Sequence, residues 1–196
     1  MRSTIREEVE SIEPFDALEY EHRQDVLAWI DSGAELCRVQ KPAMPPKHLV
    51  SYFVLVDHDH VLLVDHKNAR LWLPSGGHVE AGEHPRATVT RELAEELGLE
   101  LSEAPKAPLM LTVSETVGIT AGHTDVSLWY VIDADRHAEL EFDKEEFYRV
   151  QWFHFSEAPV SRSDPHLARF LAKLALASRS VRSRVKCASV SDDVRQ

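Results

Sequence analysis

A chain of 196 residues, 43% apolar and 28% charged, has the composition of one ordinary globular domain and can bury a core without disulfides. Its two cysteines, Cys37 and Cys187, exclude a disulfide-rich scaffold and a zinc site built mainly of thiolates. With 33 acidic against 22 basic side chains, a formal net charge of −11, the chain is a poor match for nucleic-acid polymers, whose phosphates call for a basic face.

Residues 1–47 read as an N-terminal helical appendage with a proline-rich linker. The N-terminus turns acidic at once and has no apolar signal core, and no apolar run approaches the ~20 residues of a membrane span. The expectation is therefore a cytoplasmic protein with no membrane partner. Asp16–Ser32 is a predicted helix with Leu18, His22, Val26, Trp29 and Ile30 on one face and Gly33 as its stop. That face needs a cover, either the main domain or a second copy of the chain in a homodimer. Lys41-Pro42-Ala43-Met44-Pro45-Pro46 cannot be helical and forms a stiff linker.

The main domain is expected over 48–177. Leu49–Val56 is a near-continuous apolar run, the pattern of a strand buried on both faces. Asp57-His58-Asp59-His60 reads as a polar turn rather than a metal site, and Val61–Asp65 as the returning strand. Pro74-Ser75-Gly76-Gly77 reads as a loop. Pro85–Leu97 is a predicted helix, with Pro85 in its first turn and Gly98 as its stop. Leu109–Val117 and Thr124–Asp133 are strands around the turn Thr120-Ala121-Gly122. In the second of them Val126, Leu128, Tyr130 and Ile132 share one face, and Asp125, Ser127 and Trp129 the other. Phe147–Phe155 holds another strand. Pro165–Ala177 is a last helix, capped by Ser163 or Asp164, with Leu167, Phe170, Leu171 and Leu174 as its apolar stripe. Residues 178–196, with Arg179, Arg182, Arg184 and Lys186 among serines, read as a solvated, disordered tail. The fold class is α/β: a mixed sheet between helical layers.

Chemistry concentrates between Gly77 and Leu99. On a helix Glu92, Glu95 and Glu96 stand at i, i+3 and i+4, so three carboxylates project from one face. Val89, Leu93 and Leu97, at i, i+4 and i+8, lie on another face and can anchor the helix in the core. Close carboxylates repel, and a hard divalent cation relieves them. Oxygen-only ligands favour Mg²⁺, Mn²⁺ or Ca²⁺ over zinc. Gly76 and Gly77 upstream let the backbone approach a ligand and present a carbonyl. Arg91 and Glu83 can brace the site. A solvated acidic helix face is the plainer reading of the three glutamates taken alone.

The segment resembles the signature of the Nudix hydrolases, G-x5-E-x7-R-E-U-x-E-E-x-G-U with U aliphatic. Every specified position matches: Gly77, Glu83, Arg91, Glu92, Leu93, Glu95, Glu96, Gly98 and Leu99. The order of elements from about Leu49 to Ala177 also fits that family's α/β/α sandwich with a mixed central sheet, while the first 47 residues and the tail lie outside the resemblance. The resemblance implies Mg²⁺- or Mn²⁺-dependent hydrolysis of a nucleoside diphosphate linked to another group, by attack of water at phosphorus. It implies Glu92, Glu95, Glu96 and the Gly77 carbonyl as metal ligands, Glu83 and Arg91 as supports of the loop and helix, and Gly98 as the helix end.

A later carboxylate often completes such a site as ligand or general base, and Glu146, six residues before Trp152, is the candidate here, with Glu145 and Glu115 as rivals. Phe53, Trp72 and Trp129 are candidates to stack on a nucleobase and Asp125 to hydrogen-bond a base or sugar. The plainer readings are core aromatics and a polar sheet edge, which His123 would share. Neither cysteine has a partner that would make it a nucleophile. Glu115 stands where many ADP-ribose pyrophosphatases carry a proline, and Leu62-Leu63-Val64-Asp65-His66-Lys67 departs from the coenzyme A pyrophosphatase pattern. The NADH pyrophosphatase pattern is missing too. A small nucleotide is the expected partner, by elimination a nucleoside triphosphate, oxidised or non-standard ones included. The alternatives are a nucleotide sugar, a dinucleotide, or a sensor that binds without turnover.

Overall fold

The computed structural model describes residues 1–41, 44–116 and 122–188. In chain order the elements are α1 (Arg2–Ser11), α2 (Ala17–Asp31), β1 (Lys47–Asp57), β2 (His60–His66), β3 (Leu71–Leu73), β4 (Ser75–His78), α3 (Pro85–Leu97), β5 (Met110–Glu115), β6 (Thr124–Asp133), β7 (Phe147–His154) and α4 (Leu167–Ala188). The seven strands form one sheet in the order β3-β2-β1-β6-β5, with β4 on β1 and β7 on β2. β1 and β6 run parallel, from Lys47 opposite Thr124 to Val56 opposite Asp133, and the other pairings are antiparallel. Among the described residues no helix is long and apolar enough to cross a membrane.

Strand alternation sorts the side chains into two cores. Leu49, Phe53 and Leu55 of β1 pack with Val126, Leu128 and Tyr130 of β6 and with Ile5, Val9, Val26, Ile30, Val89, Leu93 and Leu97 from α1, α2 and α3. Val54 and Val56 of β1 and Trp129 of β6 pack instead with Leu167, Phe170, Leu171 and Leu174 of α4. The result is an α/β/α sandwich with β1 in its middle, which is why β1 reads as a continuous apolar run.

The N-terminal part differs from expectation in two ways. It carries a helix, α1, that the sequence concealed: Ile5 and Val9 are its buried residues, a stripe too narrow to announce itself. In α2, Leu18 is 41% exposed and Glu19 is fully buried. The reason is the unpaired edge of β5, whose outward N–H groups need acceptors. Glu19 Oε1 accepts from Leu111 N at 3.2 Å, and His22 Nδ1 accepts from Val113 N at 3.3 Å, one helical turn on. Lys173 Nζ of α4 donates to the same Glu19 oxygen at 2.7 Å, and Phe15 N donates to Glu19 Oε2 at 2.8 Å. The face of α2 is therefore covered by the sheet of its own chain.

Asp16 caps α2, accepting from Glu19 N at 2.9 Å, and also takes Arg169 Nη2 at 2.6 Å and Nε at 2.8 Å. The Arg169 hydrogen bond holds the Asp16 carboxyl down to about 2. A carboxylate whose folded value lies below its unfolded value of about 3.9 stabilises fully above that value and loses the contribution as pH falls through the folded one. The gap in Tm between wild type and Asp16→Asn is thus expected to be constant near neutrality and to close as the pH drops from about 4 to about 2. A gap that widens in acid would contradict this.

Two further elements depart from the sequence reading. Ser75–His78 is a strand, β4, rather than a loop; its glycines carry no strand signal, yet they let it lie tight on β1 with Ser51 opposite Gly77 and Tyr52 opposite Gly76. α4 runs on to Ala188, past the expected end at Ala177, so 178–188 are helical where a tail was expected. The Pro42-Ala43 part of the linker, Val117, the Thr120-Ala121 turn and 189–196 lie outside the described residues.

Candidate active site

The site is built where β4 passes under α3. Gly76 has φ +142° and a side-chain carbon there would lie 2.1 Å from the Ser51 carbonyl, so only glycine lets β4 approach β1 this closely. Its N–H donates to Glu96 Oε2 at 3.0 Å. At Gly77 an added carbon would lie 1.8 Å from Glu92 Oε1, so that carboxylate rests directly on the glycine backbone. α3 starts at Pro85 with the His84 side chain accepting from Arg86 N, and ends at Gly98 in the left-handed conformation, φ 63°.

Arg91 ties the parts together. Its Nε and Nη2 grip the two oxygens of Glu83 at 3.0 and 3.1 Å, and its Nη1 reaches Glu92 Oε1 at 2.7 Å and Glu95 Oε2 at 3.2 Å. Glu83 also accepts from Thr88 Oγ1 at 2.7 Å and Glu80 N at 3.2 Å. Burial opposes the Glu83 charge, but the hydrogen bonds from Arg91 and Thr88 win, and its carboxyl is held below the usual range. The Glu83 hydrogen bonds likewise raise the already high proton affinity of Arg91.

The three glutamates differ. Glu95 projects outward with its side chain 60% exposed. Glu92 is mostly buried, and burial raises its pKa against the pull of Arg91, with Glu95 and Glu146 adding repulsion. Glu96 is almost wholly buried; burial first, then the charges of Glu92 and Glu146, push it up to about 9. The charge of Glu146 thus reaches both inner glutamates. Glu146 lies in the loop before β7, with its carboxylate 3.3 Å from His66 Nε2 and its carbonyl accepting from Lys67 N at 3.0 Å. Of the rivals, Glu115 ends the edge strand β5 opposite Thr124, and Glu145 donates its N–H to Asp143 in the turn before β7.

The residues present fit a hard divalent cation. The donor set is carboxylate and carbonyl oxygen, one member is buried at an elevated pKa, and the absence of a side chain at Gly77 lets the Glu92 carboxylate lie against the backbone there.

The aromatic candidates lie elsewhere. Phe53 is fully buried in the first core; Trp129 is fully buried in the second, donating Nε1 to Thr112 Oγ1 at 2.9 Å and stacking on Phe170. Trp72, 4% exposed, packs edge-on against Phe153. Rings so placed hold the sheet and present no face to a base. Asp125 is drawn into a cluster with His48, His78 and His123. Burial pushes Asp125 up to about 6 and His78 down to about 3. Sequence reasoning passed over His48 and His78. The signal was the strand register, His48 opposite Asp125 across the parallel β1/β6 pair and His78 opposite Val50, which no local spacing reveals.

A mixed sheet between helices, with a carboxylate-bearing helix packed on a glycine strand, defines an α/β/α sandwich that carries an acidic cluster. The family model described as NUDIX domain matches residues 46–174, and the chain belongs to the Nudix family of hydrolases. Its family chemistry is hydrolysis of a pyrophosphate bond in small nucleotide-linked substrates, with divalent metal ions. Among its relatives, the Bacillus subtilis (strain 168) protein "Uncharacterized Nudix hydrolase YvcI" is 29% identical over 129 residues, 63% of this chain and 78% of that protein. The chain also resembles the crystal structure of a NUDIX-family hydrolase from Clostridium perfringens, with TM-score 0.51, 23% identity and coverage of 66% of this chain and 97% of that one. A MutT protein from Methanosarcina mazei Go1 matches with TM-score 0.56 and 15% identity over 68% and 96% of the two chains. Both likenesses concern the fold.

Proposed function

We propose that the chain cleaves a nucleoside triphosphate, oxidised or non-standard ones included, to the monophosphate and pyrophosphate with Mg²⁺ or Mn²⁺. The observation that carries the chemical part is Glu96 buried beside Glu92 and within reach of the Glu146 charge, where burial first and the neighbouring carboxylates second push its pKa up to about 9, in a site walled by Gly76 and Gly77. The triphosphate rests on the missing patterns of the other substrate classes, with Glu115 in place of a proline.

Glu92, Glu95, Glu96, the Gly77 carbonyl and Glu146 would hold the ion. When bound it neutralises phosphoryl oxygens and lowers the pKa of the attacking water. Arg91 is a positioning residue: clamped by Glu83, it sets the carboxylates of Glu92 and Glu95. The Gly76 N–H fixes Glu96 in the same way. Glu146, with its side chain 41% exposed, is free to accept a proton from water, with His66 orienting it.

Phosphorus NMR of the reaction with nucleoside triphosphates tests this directly, because monophosphate plus pyrophosphate is expected and diphosphate plus phosphate would contradict it. Glu146→Gln should lower kcat by about 10²-fold or more while weakening nucleotide binding far less. An unchanged kcat would remove Glu146 from the chemistry.

A further inference from the structure

A second cluster of ligating groups lies next to the carboxylate site and shares no side chain with it. His48 on β1, His78 at the end of β4, His123 just before β6 and Asp125 near its start each offer one ligand atom, and these atoms all lie within 4.8 Å of one another. Three of the buried side-chain atoms without a hydrogen-bond partner among the described residues belong here: His48 Nε2, His78 Nε2 and Asp125 Oδ1. Buried polar groups rarely stay unpaired, and several close together call for a shared partner such as a water or an ion.

Proton accounting strengthens the argument. His48 is fully buried, and its Nδ1 lies 2.7 Å from the Pro45 carbonyl, which accepts and can only be met by Nδ1–H. In the neutral ring Nε2 then carries a lone pair, and it points at Asp125 Oδ1, itself an acceptor, 3.5 Å away. Burial lowers the pKa of His48 and so favours the neutral ring. Two lone pairs facing each other in a dry site repel unless a proton or a metal cation sits between them, and one proton on Asp125 can serve only one of the neighbouring rings. His123 borders the same carboxylate: its Nδ1 is 3.1 Å from Thr116 Oγ1, and its Nε2 is 3.2 Å from Asp125 Oδ1. A histidine that spends one ring nitrogen on a fixed partner and aims the other inward has the arrangement of a metal ligand.

The distances suit a small ion. Bonds of 2.0–2.1 Å to a tetrahedral zinc place neighbouring ligand atoms about 3.4 Å apart. Asp125 Oδ1 lies 3.2, 3.5 and 3.9 Å from Nε2 of His123, His48 and His78. Arg38 stands nearby; burial lowers its pKa, and the charges of Glu80, Asp125 and Glu92 act against that.

We infer that His48, His78, His123 and Asp125 form a closed, four-ligand site for a divalent transition-metal ion of the zinc class. Three imidazoles select zinc, nickel, cobalt or copper over the magnesium that oxygen ligands prefer. Four protein ligands leave no open position, so the site is structural. It staples β1, β4 and β6 together one residue beyond Gly77, and so fixes the strand on which Glu92 rests.

The test uses the full chain, stripped with a chelator and titrated with Zn²⁺ against a chromophoric competitor, and with Co²⁺ in the visible range. One Zn²⁺ per chain and the intense absorption of tetrahedral cobalt are expected, retained in Glu92→Gln and Glu95→Gln. Asp125→Asn, nearly isosteric, and His78→Gln, at the most exposed of the three rings, should each weaken binding by at least about tenfold. X-ray absorption of the zinc-loaded wild type needs no variant and should find three imidazoles in the metal shell. An all-oxygen shell, binding lost with Glu92→Gln, or affinity unchanged in both cluster variants would overturn the inference.

Discussion

Glu95→Gln is expected to lower kcat by at least about 10²-fold and to leave the fold intact. Glu95 is the outermost of the three helix carboxylates, 60% exposed, and contributes to the structure through an ion pair with Arg91 at 3.2 Å. Such an exposed i,i+4 pair is worth only a few tenths of a kcal/mol. Removing the charge also relieves repulsion from Glu92, three residues earlier. Tm should therefore stay where it is or rise slightly, while turnover collapses if Glu95 is, as proposed, an oxygen ligand of the cation. Steady-state kinetics and a melting curve on the same sample separate the two effects. Full activity in Glu95→Gln would take Glu95 out of the site.

The largest expected effect on stability comes from the far side of the molecule. Lys173→Met leaves the fully buried Glu19 carboxylate without its ammonium partner, 2.7 Å away, in the seam between α2, α4 and the edge of β5. Breaking a buried pair by removing one partner costs about 3–5 kcal/mol, because the remaining charge is uncompensated. For a chain of this size that lowers Tm by roughly 6–20 °C. Replacing both, Glu19→Gln with Lys173→Met, should recover a good part of the loss, since no lone charge then remains. A loss below about 1 kcal/mol in the single variant would mean that the pair is solvated and that α2 is not clamped as described.

What was legible in the sequence follows from how local each signal is. α3 and its cap residues, the two-faced pattern of β6 and the stripe of α4 are periodic within one element, and the structure has Val126, Leu128, Tyr130 and Ile132 in one core and Trp129 in the other. The carboxylate ladder is legible for the same reason: i, i+3 and i+4 on a helix need no tertiary information. What escaped depends on partners distant in sequence. Glu19 looks like a surface residue until Lys173 and the N–H of Leu111 are brought to it. Ser75–His78 looks like a loop until β1 is laid against it. Phe53 and Trp129 could be read as base platforms because an aromatic residue announces its size and not which side of the sheet it fills. The His48/His78/His123/Asp125 cluster draws on three strands and exists only in register.

The central claim is that the carboxylates of α3 and the Gly77 carbonyl form one divalent-cation site that works on a pyrophosphate bond. The most direct test is turnover of a panel by the wild-type chain, with and without Mg²⁺: standard and oxidised nucleoside triphosphates, nucleotide sugars, ADP-ribose and dinucleoside polyphosphates, with every product identified. The account predicts metal-dependent cleavage, with a nucleoside triphosphate giving the highest kcat/KM and releasing pyrophosphate. Nucleotide binding with no cleavage of any panel member in the presence of Mg²⁺ would contradict it.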